Sequence, residues 1–140
     1  MAGQLTNGWR IVTACAWIGV IVSFAAVWNT SVQLGLSTWW LGPRGDPQPQ
    51  VVRLSPFIVP VLMLMATLNN VRWLGRIGIG AAAVTAVFGL GDLGRVDRLA
   101  ALELLIAVLA AVVSIVSLAG TYRPAAEPAA SAPAASASSA

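Results

Sequence analysis

The stretch Leu99 to Ala119, LAALELLIAVLAAVVSIVSLA, decides the fold. It is apolar throughout and carries a single charge, Glu103. A helix of this length extends about 32 Å at 1.5 Å per residue, which matches the roughly 30 Å hydrocarbon layer of a bilayer. Asp97 stands just before the stretch, where its side chain is expected to cap the helix. The stretch therefore predicts one membrane-spanning helix.

Three more stretches have the same character. Ile11 to Trp28 has no charge at all, and Trp73 to Gly91 is interrupted only near its start. Val51 to Leu68 contains Arg53 and two prolines, of which Pro56 is expected in the first helical turn, where its missing N–H costs nothing. The four spans predict helices at about 10–28, 54–69, 73–91 and 98–120. The first span could instead be a signal peptide cleaved near residue 25, although it is longer than the usual 7–15 apolar residues.

Composition supports this reading. The chain is 58% hydrophobic and 9% charged, against roughly 25% charged residues in an ordinary soluble domain. Its eight basic residues are all scattered arginines, which argues against binding to nucleic acid. Histidine is absent and Cys15 is the single cysteine, so no zinc, haem, disulfide or cofactor site is expected. The predicted fold class is all-α, a membrane-embedded four-helix bundle over residues 1–123 with a disordered Ala/Pro/Ser-rich tail over 124–140.

Orientation follows from charge and aromatic residues. With four spans both termini lie on one side, and the arginines divide equally between the two sides. The turn Asn69 to Arg76 is short and holds two arginines without an acid, which is typical of a cytoplasmic loop. Both termini are therefore predicted to be cytoplasmic, with the long loop 29–50 lying along the outer surface. The expected interfacial anchors are Trp9, Trp73 and Tyr122 on one side, and Trp28, Trp39 and Trp40 on the other.

The acid Glu103 marks a candidate polar site. It lies four positions into the last span, and an ionisable residue at membrane depth is by default a functional candidate for binding a proton or a cation. Asp92 and two arginines, Arg53 and Arg98, are predicted near the same face. Two plainer readings stay open: Glu103 could extend to the headgroups, or it could pair with Arg53, Arg95 or Arg98.

Small residues form two stripes at four-residue spacing in the third span. Such stripes let helix backbones approach closely where lipid supplies no hydrophobic drive. They are expected to pack the bundle internally, and the alternative is a contact with a second copy or a partner helix. The stripes are Gly78, Ala82 and Ala86, and, on the neighbouring face, Ala81, Thr85 and Gly89.

Three short motifs carry a family resemblance: WWLGPRGDP at 39–47, the pair Pro56-Phe57, and GLGDL at 89–93. With the arginine-only basic set and the Ala-Pro-Ser tail, the chain resembles an uncharacterised family of small four-helix integral membrane proteins from actinobacteria. The resemblance covers residues 9–123. It implies a location in a bacterial plasma membrane, and it brings no known activity.

Three functions are compatible with these features. The first is a non-enzymatic accessory or scaffold subunit of a membrane complex, because no catalytic constellation is evident. Its partners would be the lipid bilayer and either another membrane protein or a second copy. The second is a small dimeric transporter or channel that uses Glu103. The third is a lipid-acting membrane enzyme that would have to work with Asp92, Glu103 and the arginines.

Overall fold

The computed structural model describes residues 4–121, which form four helices and confirm the predicted all-α fold class. Leu5 and Thr121 pair in an isolated antiparallel bridge that brings the two ends of this range together. The predicted tail 124–140 and the predicted anchor Tyr122 lie outside the described residues. The helices are α1 (Asn7–Leu34), α2 (Gln50–Leu68), α3 (Leu74–Gly91) and α4 (Asp97–Ser117), the last followed by a 3-10 turn at Leu118–Gly120.

Helix α1 is longer than predicted at both ends, since it begins at Asn7 and runs six residues past Trp28. The prediction ended where the apolar residues end, but polar residues outside the hydrocarbon layer can continue a helix. Helix α1 ends at its C-cap residue Gly35, which adopts the left-handed conformation at φ 70° and donates its N–H to Ser31 O. Helix α2 likewise begins at Gln50, earlier than predicted, which places Arg53 in its first turn.

The buried residues of every helix alternate at spacings of three and four. This spacing is the signature of helices that cross at a small angle with interdigitated side chains. In α3 the buried face therefore takes residues from both predicted stripes and does not follow either four-residue stripe alone. The buried sets include Thr13, Trp17, Val20, Phe24, Val27 and Ser31 in α1; Pro56, Pro60, Met63 and Thr67 in α2; Gly75, Gly78, Ala82, Thr85 and Gly89 in α3; and Ala100, Glu103, Ala107, Ala110, Ser114 and Ser117 in α4.

The distribution of side chains differs from that of a soluble protein. Hydroxyl, carboxyl and small side chains fill much of the interior, while large apolar side chains such as Leu62 and Leu109 are more than half exposed. A water-facing domain does not leave such an apolar surface open on all sides. All four helices are long and apolar enough to cross a membrane. The surface of the bundle is therefore suited to lipid.

Helix α2 continues through two prolines, both of which face the interior. Pro56 has no N–H, so it leaves Val52 O without its usual backbone donor. Ser55 Oγ replaces that donor and hydrogen-bonds to Val52 O at 2.6 Å. A neighbouring hydroxyl thus satisfies the carbonyl freed by the proline, as required where water is scarce.

Helices α3 and α4 pack against each other through their smallest residues. Gly78 faces Ser114, and Gly89 lies so close to α4 that an added Cβ would come within 2.9 Å of Leu104 N and 3.1 Å of Ala100 O. Ala81 and Ala86 of the predicted stripes are only half-buried. The small residues of the third span therefore pack the bundle internally.

The contact at Gly89 yields a test of this seam. Gly89→Ala should destabilise the bundle by about 1–3 kcal/mol, because the methyl group meets backbone atoms of α4 that cannot rotate away. Gly80→Ala is the matched control: Gly80 lies in the same helix, and an added Cβ there meets nothing within 4 Å. Unfolding of the two variants in mixed micelles measures the difference, and equal stabilities would contradict the close approach.

Candidate functional site

Two acids meet at one end of the bundle. Asp92 directly follows the last residue of α3, and Glu103 lies in the second turn of α4. The tight turn between these antiparallel helices brings the two positions to the same level. Both side chains are fully buried. Their carboxyl groups lie within hydrogen-bonding reach of each other.

Two adjacent tryptophans supply the donors for these acids. The Trp39 backbone N–H donates to Asp92 Oδ1 at 2.7 Å, and the Trp40 indole Nε1–H donates to Glu103 Oε1 at 3.1 Å. The indole of Trp39 donates instead to Phe88 O, near the end of α3. The loop between α1 and α2 therefore folds inward over the acids and covers them.

The structure places Trp40 inside the bundle, not along the outer membrane surface where it is predicted to act as an anchor, and it leaves Trp39 half-buried. Trp40 is completely buried, and Trp39 stacks on Phe88 with ring centroids 5.6 Å apart. The cause is polar: each indole N–H finds an acceptor inside the bundle, so neither ring needs the headgroup region. Gly91 makes room for the Trp39 ring, which an added Cβ would strike. The sequence feature that relates to this arrangement is the pair of acids, Asp92 and Glu103, at or beside the apolar spans, since acids in such positions need hydrogen-bond donors.

The other predicted anchors divide between the surface and the interior. Trp73 is 51% exposed, with the Arg76 guanidinium 4.1 Å from its ring centroid, which suits an interfacial position. Trp9 is half-buried beside Gly120, and Trp28 is half-buried against Trp40.

The arginines of the predicted polar cluster do not join the acids. Arg53 lies over the Trp28 ring at 4.8 Å, and Arg98 is exposed at the start of α4. Glu103 is fully buried and pairs with none of Arg53, Arg95 and Arg98, so neither of the two plainer predictions for it is correct. Its Oε1 accepts from Trp40, and its Oε2 has no donor among the described residues. Trp40 therefore supplies the hydrogen-bond donor to Glu103 that an arginine was expected to supply.

The two acids together can hold a proton. Asp92 Oδ2 and Glu103 Oε2 both lack a donor within residues 4–121, and two ionised carboxylates in contact repel each other strongly. One proton shared between these oxygens removes the repulsion and supplies the missing donor. Burial raises the pKa of Asp92 above its usual value near 3.8, against the opposing effects of the Trp39 N–H and of Arg95. The arrangement can therefore bind and release a proton.

Other reactive groups lie apart from this pair. Cys15 is exposed on α1, far along the chain from either acid. Residues 4–121 contain no cluster of three or more histidine, cysteine or acidic side chains placed to hold a metal ion. The chemistry that the described site offers is thus proton binding and hydrogen bonding.

The raised pKa of Asp92 predicts a pH dependence with a definite sign. The folded protein holds the proton more tightly than the unfolded chain, so this stabilisation is complete below pH 3.8 and is lost as the pH rises through the raised pKa. Asp92→Asn should reduce the dependence, because Asp92 no longer titrates, while its amide oxygen still accepts from Trp39 and its NH₂ donates to Glu103 in place of the proton. Asp92→Ala should cost about 1–3 kcal/mol, since it leaves the Trp39 N–H without an acceptor and Glu103 Oε2 without the shared proton.

Thermal unfolding in detergent between pH 4 and pH 8 measures these effects. A wild-type protein whose stability does not change with pH, or an Asp92→Asn variant that still titrates like the wild type, would contradict proton sharing.

Comparison with known proteins gives no relative. No protein-family model, no characterised protein and no solved structure matches the chain.

Proposed function

We propose that the protein is a multi-pass protein of a bacterial plasma membrane, with both termini cytoplasmic, that serves as a non-enzymatic accessory or scaffold subunit. The partners would be the lipid bilayer and a second membrane protein. A groove on the outside of the bundle carries the proposal. This α1–α4 groove consists of two neighbouring cavities of about 330 Å³ each. It is lined by Ala16, Gly19, Ser23, Ala26 and Thr30 of α1 and by Leu102, Ile106, Leu109 and Val113 of α4.

The α1 side of the groove has the spacing of a helix-packing seam. Its five small residues alternate at three and four positions, as the buried faces do, but this seam faces outward. From Ala16 to Thr30 it extends about 21 Å at 1.5 Å per residue, which is most of the hydrocarbon thickness. Small residues favour helix association in lipid because they allow close van der Waals contact. The occupant that fits is an apolar transmembrane helix of a partner protein.

Filling the groove should release the partner. Gly19→Ile places a branched side chain in the α1–α4 groove, and Gly80→Ile is the matched control on α3. Both glycines are exposed, and an added Cβ at either meets nothing within 4 Å, so both variants should fold. Native mass spectrometry of the full chain in discs of native membrane should show a complex of fixed stoichiometry for the wild type and for Gly80→Ile. Gly19→Ile should lose it.

Two results would count against the accessory role. A wild-type chain that is monomeric in native membrane discs would remove the need for a partner. A complex made only of copies of this chain would instead favour the second candidate function below.

The buried pair Asp92 and Glu103 favours a second candidate, a small dimeric transporter or channel that uses Glu103. Proton-binding acids at membrane depth are common in proton-coupled transport. Small dimeric transporters can insert in both orientations, whereas an accessory subunit that docks on one partner needs a single orientation. Topology therefore distinguishes the two functions.

Cysteine labelling in intact cells measures the topology. In a Cys15→Ala background, Gly45→Cys reports on the first loop, Val71→Cys on the second and Leu93→Cys on the third. All three positions are exposed, and the second keeps both neighbouring arginines. With cytoplasmic termini, Gly45→Cys and Leu93→Cys should react with an impermeant reagent, and Val71→Cys only after permeabilisation. Partial labelling of all three would indicate dual topology and the transporter.

A further inference from the structure

A second polar feature lies at the same end of the bundle, separate from the acids. A cavity of about 260 Å³ opens between the last turns of α1, the loop that follows it and the first turn of α2. We call it the Arg44–Arg53 cavity, after the two arginines that line it. Ser31 of α1 also lines it, and Leu36 and Leu41 form part of its apolar wall.

The polar groups of this cavity lack partners. Ser31 is 1% exposed, yet its Oγ makes no hydrogen bond within residues 4–121. Arg53 Nε is buried and likewise has no acceptor in the described part of the chain. A buried polar atom without a partner costs free energy, and it is normally satisfied by protein, water or a ligand. Two such atoms on one cavity wall point to a group that would accept from both.

The charge of the cavity defines that group. Arg44 and Arg53 give the lining two positive charges, and no carboxylate among residues 4–121 lines it. Both arginines are held in place. Arg53 rests on the Trp28 ring, and Arg44 donates to Val32 O and Gln33 O, the last carbonyls of α1. A guanidinium has five N–H donors, so each arginine keeps donors for a bound anion.

We propose that the Arg44–Arg53 cavity binds the phosphate group of a phospholipid headgroup. Arginine pairs well with phosphate because its planar fork of donors matches two phosphate oxygens. Ser31 Oγ–H adds a neutral donor beside the charged ones. This site is independent of the accessory role and of the carboxyl pair, so it can stand if either fails.

A lipid fits better than a free phosphate ion. The cavity lies where the apolar part of α1 ends and α2 begins, which in a membrane-spanning bundle is the level of the headgroups. Its wall is apolar on one side, at Leu36, Leu41 and the exposed Val32, and basic on the other. A phospholipid presents the same division, with a phosphate above and acyl chains below. Basic pockets beside membrane helices are an established type of headgroup site.

Titration with defined ligands distinguishes binding of a phospholipid from binding of a free phosphate ion. The full chain, purified and delipidated in detergent, is titrated with phosphatidylglycerol, with diacylglycerol of the same acyl chains, and with inorganic phosphate, and binding is followed by native mass spectrometry. One phosphatidylglycerol should bind at least about tenfold more tightly than diacylglycerol, as expected for hydrogen bonds to a charged group. Inorganic phosphate should compete weakly.

Variants place the lipid in this cavity. Ser31→Ala and Arg53→Gln should each weaken phosphatidylglycerol binding by about tenfold. Arg98→Gln is the matched control, an exposed arginine at the same end that does not line the cavity, and it should bind as the wild type does. Ser31→Ala also separates binding from folding: its hydroxyl bonds to nothing in the described chain, so the lipid-free melting temperature should not fall, while stabilisation by lipid should.

Three outcomes would overturn the proposal. Equal affinity for phosphatidylglycerol and diacylglycerol would show that the phosphate is not recognised. Unchanged lipid binding in both Ser31→Ala and Arg53→Gln would place the lipid elsewhere. Tight binding of inorganic phosphate without binding of phosphatidylglycerol would make the cavity an ion site and the lipid assignment wrong.

Discussion

The hydrogen bonds from Trp39 and Trp40 to the buried acids link the two halves of the bundle. Helices α1 and α2 form one antiparallel pair and α3 and α4 the other, and packing is most extensive between α3 and α4. The loop that carries the tryptophans belongs to the first pair, whereas Asp92 and Glu103 belong to the second. Phe24 supports this connection, since its ring meets the edges or faces of Trp40, Phe57 and Phe88. One loop therefore couples the two helix pairs.

The number of helices and their order along the chain could be predicted from the sequence because both follow from the apolar stretches. A stretch such as 99–119 has few stable alternatives to a membrane helix. The position of Trp40 could not be predicted in this way. Tryptophan is enriched at interfaces because its N–H needs a polar partner, but here the partner is Glu103, 63 positions further along the chain. Hydropathy contains no information about such a distant pairing.

The spacing of small residues also predicted the packing only in part. The stripes of the third span were recognisable, yet their four-residue spacing placed Ala81 and Ala86 in the interface, where the structure leaves them half-buried. The true seam alternates three and four because the two helices cross at a shallow angle and stay in contact along their length. The outward seam of α1, at Gly19 and Ser23, is not evident from the sequence because large apolar residues separate its members. Spacing alone does not show which side of a helix faces the bundle.

The unequal lengths of the helices have a consequence for the surrounding bilayer. Helix α1 has 28 residues and α3 has 18, or about 42 Å against about 27 Å at 1.5 Å per residue. The shorter helix fits a bilayer of ordinary thickness, whereas α1 has to tilt or stand clear of it. The extra length of α1 lies in its ends, because its apolar part at 11–28 is as long as α3, and its last turns carry polar Asn29 and Gln33. In a bilayer whose hydrocarbon thickness matches α3, these last turns of α1 would extend beyond the hydrocarbon layer.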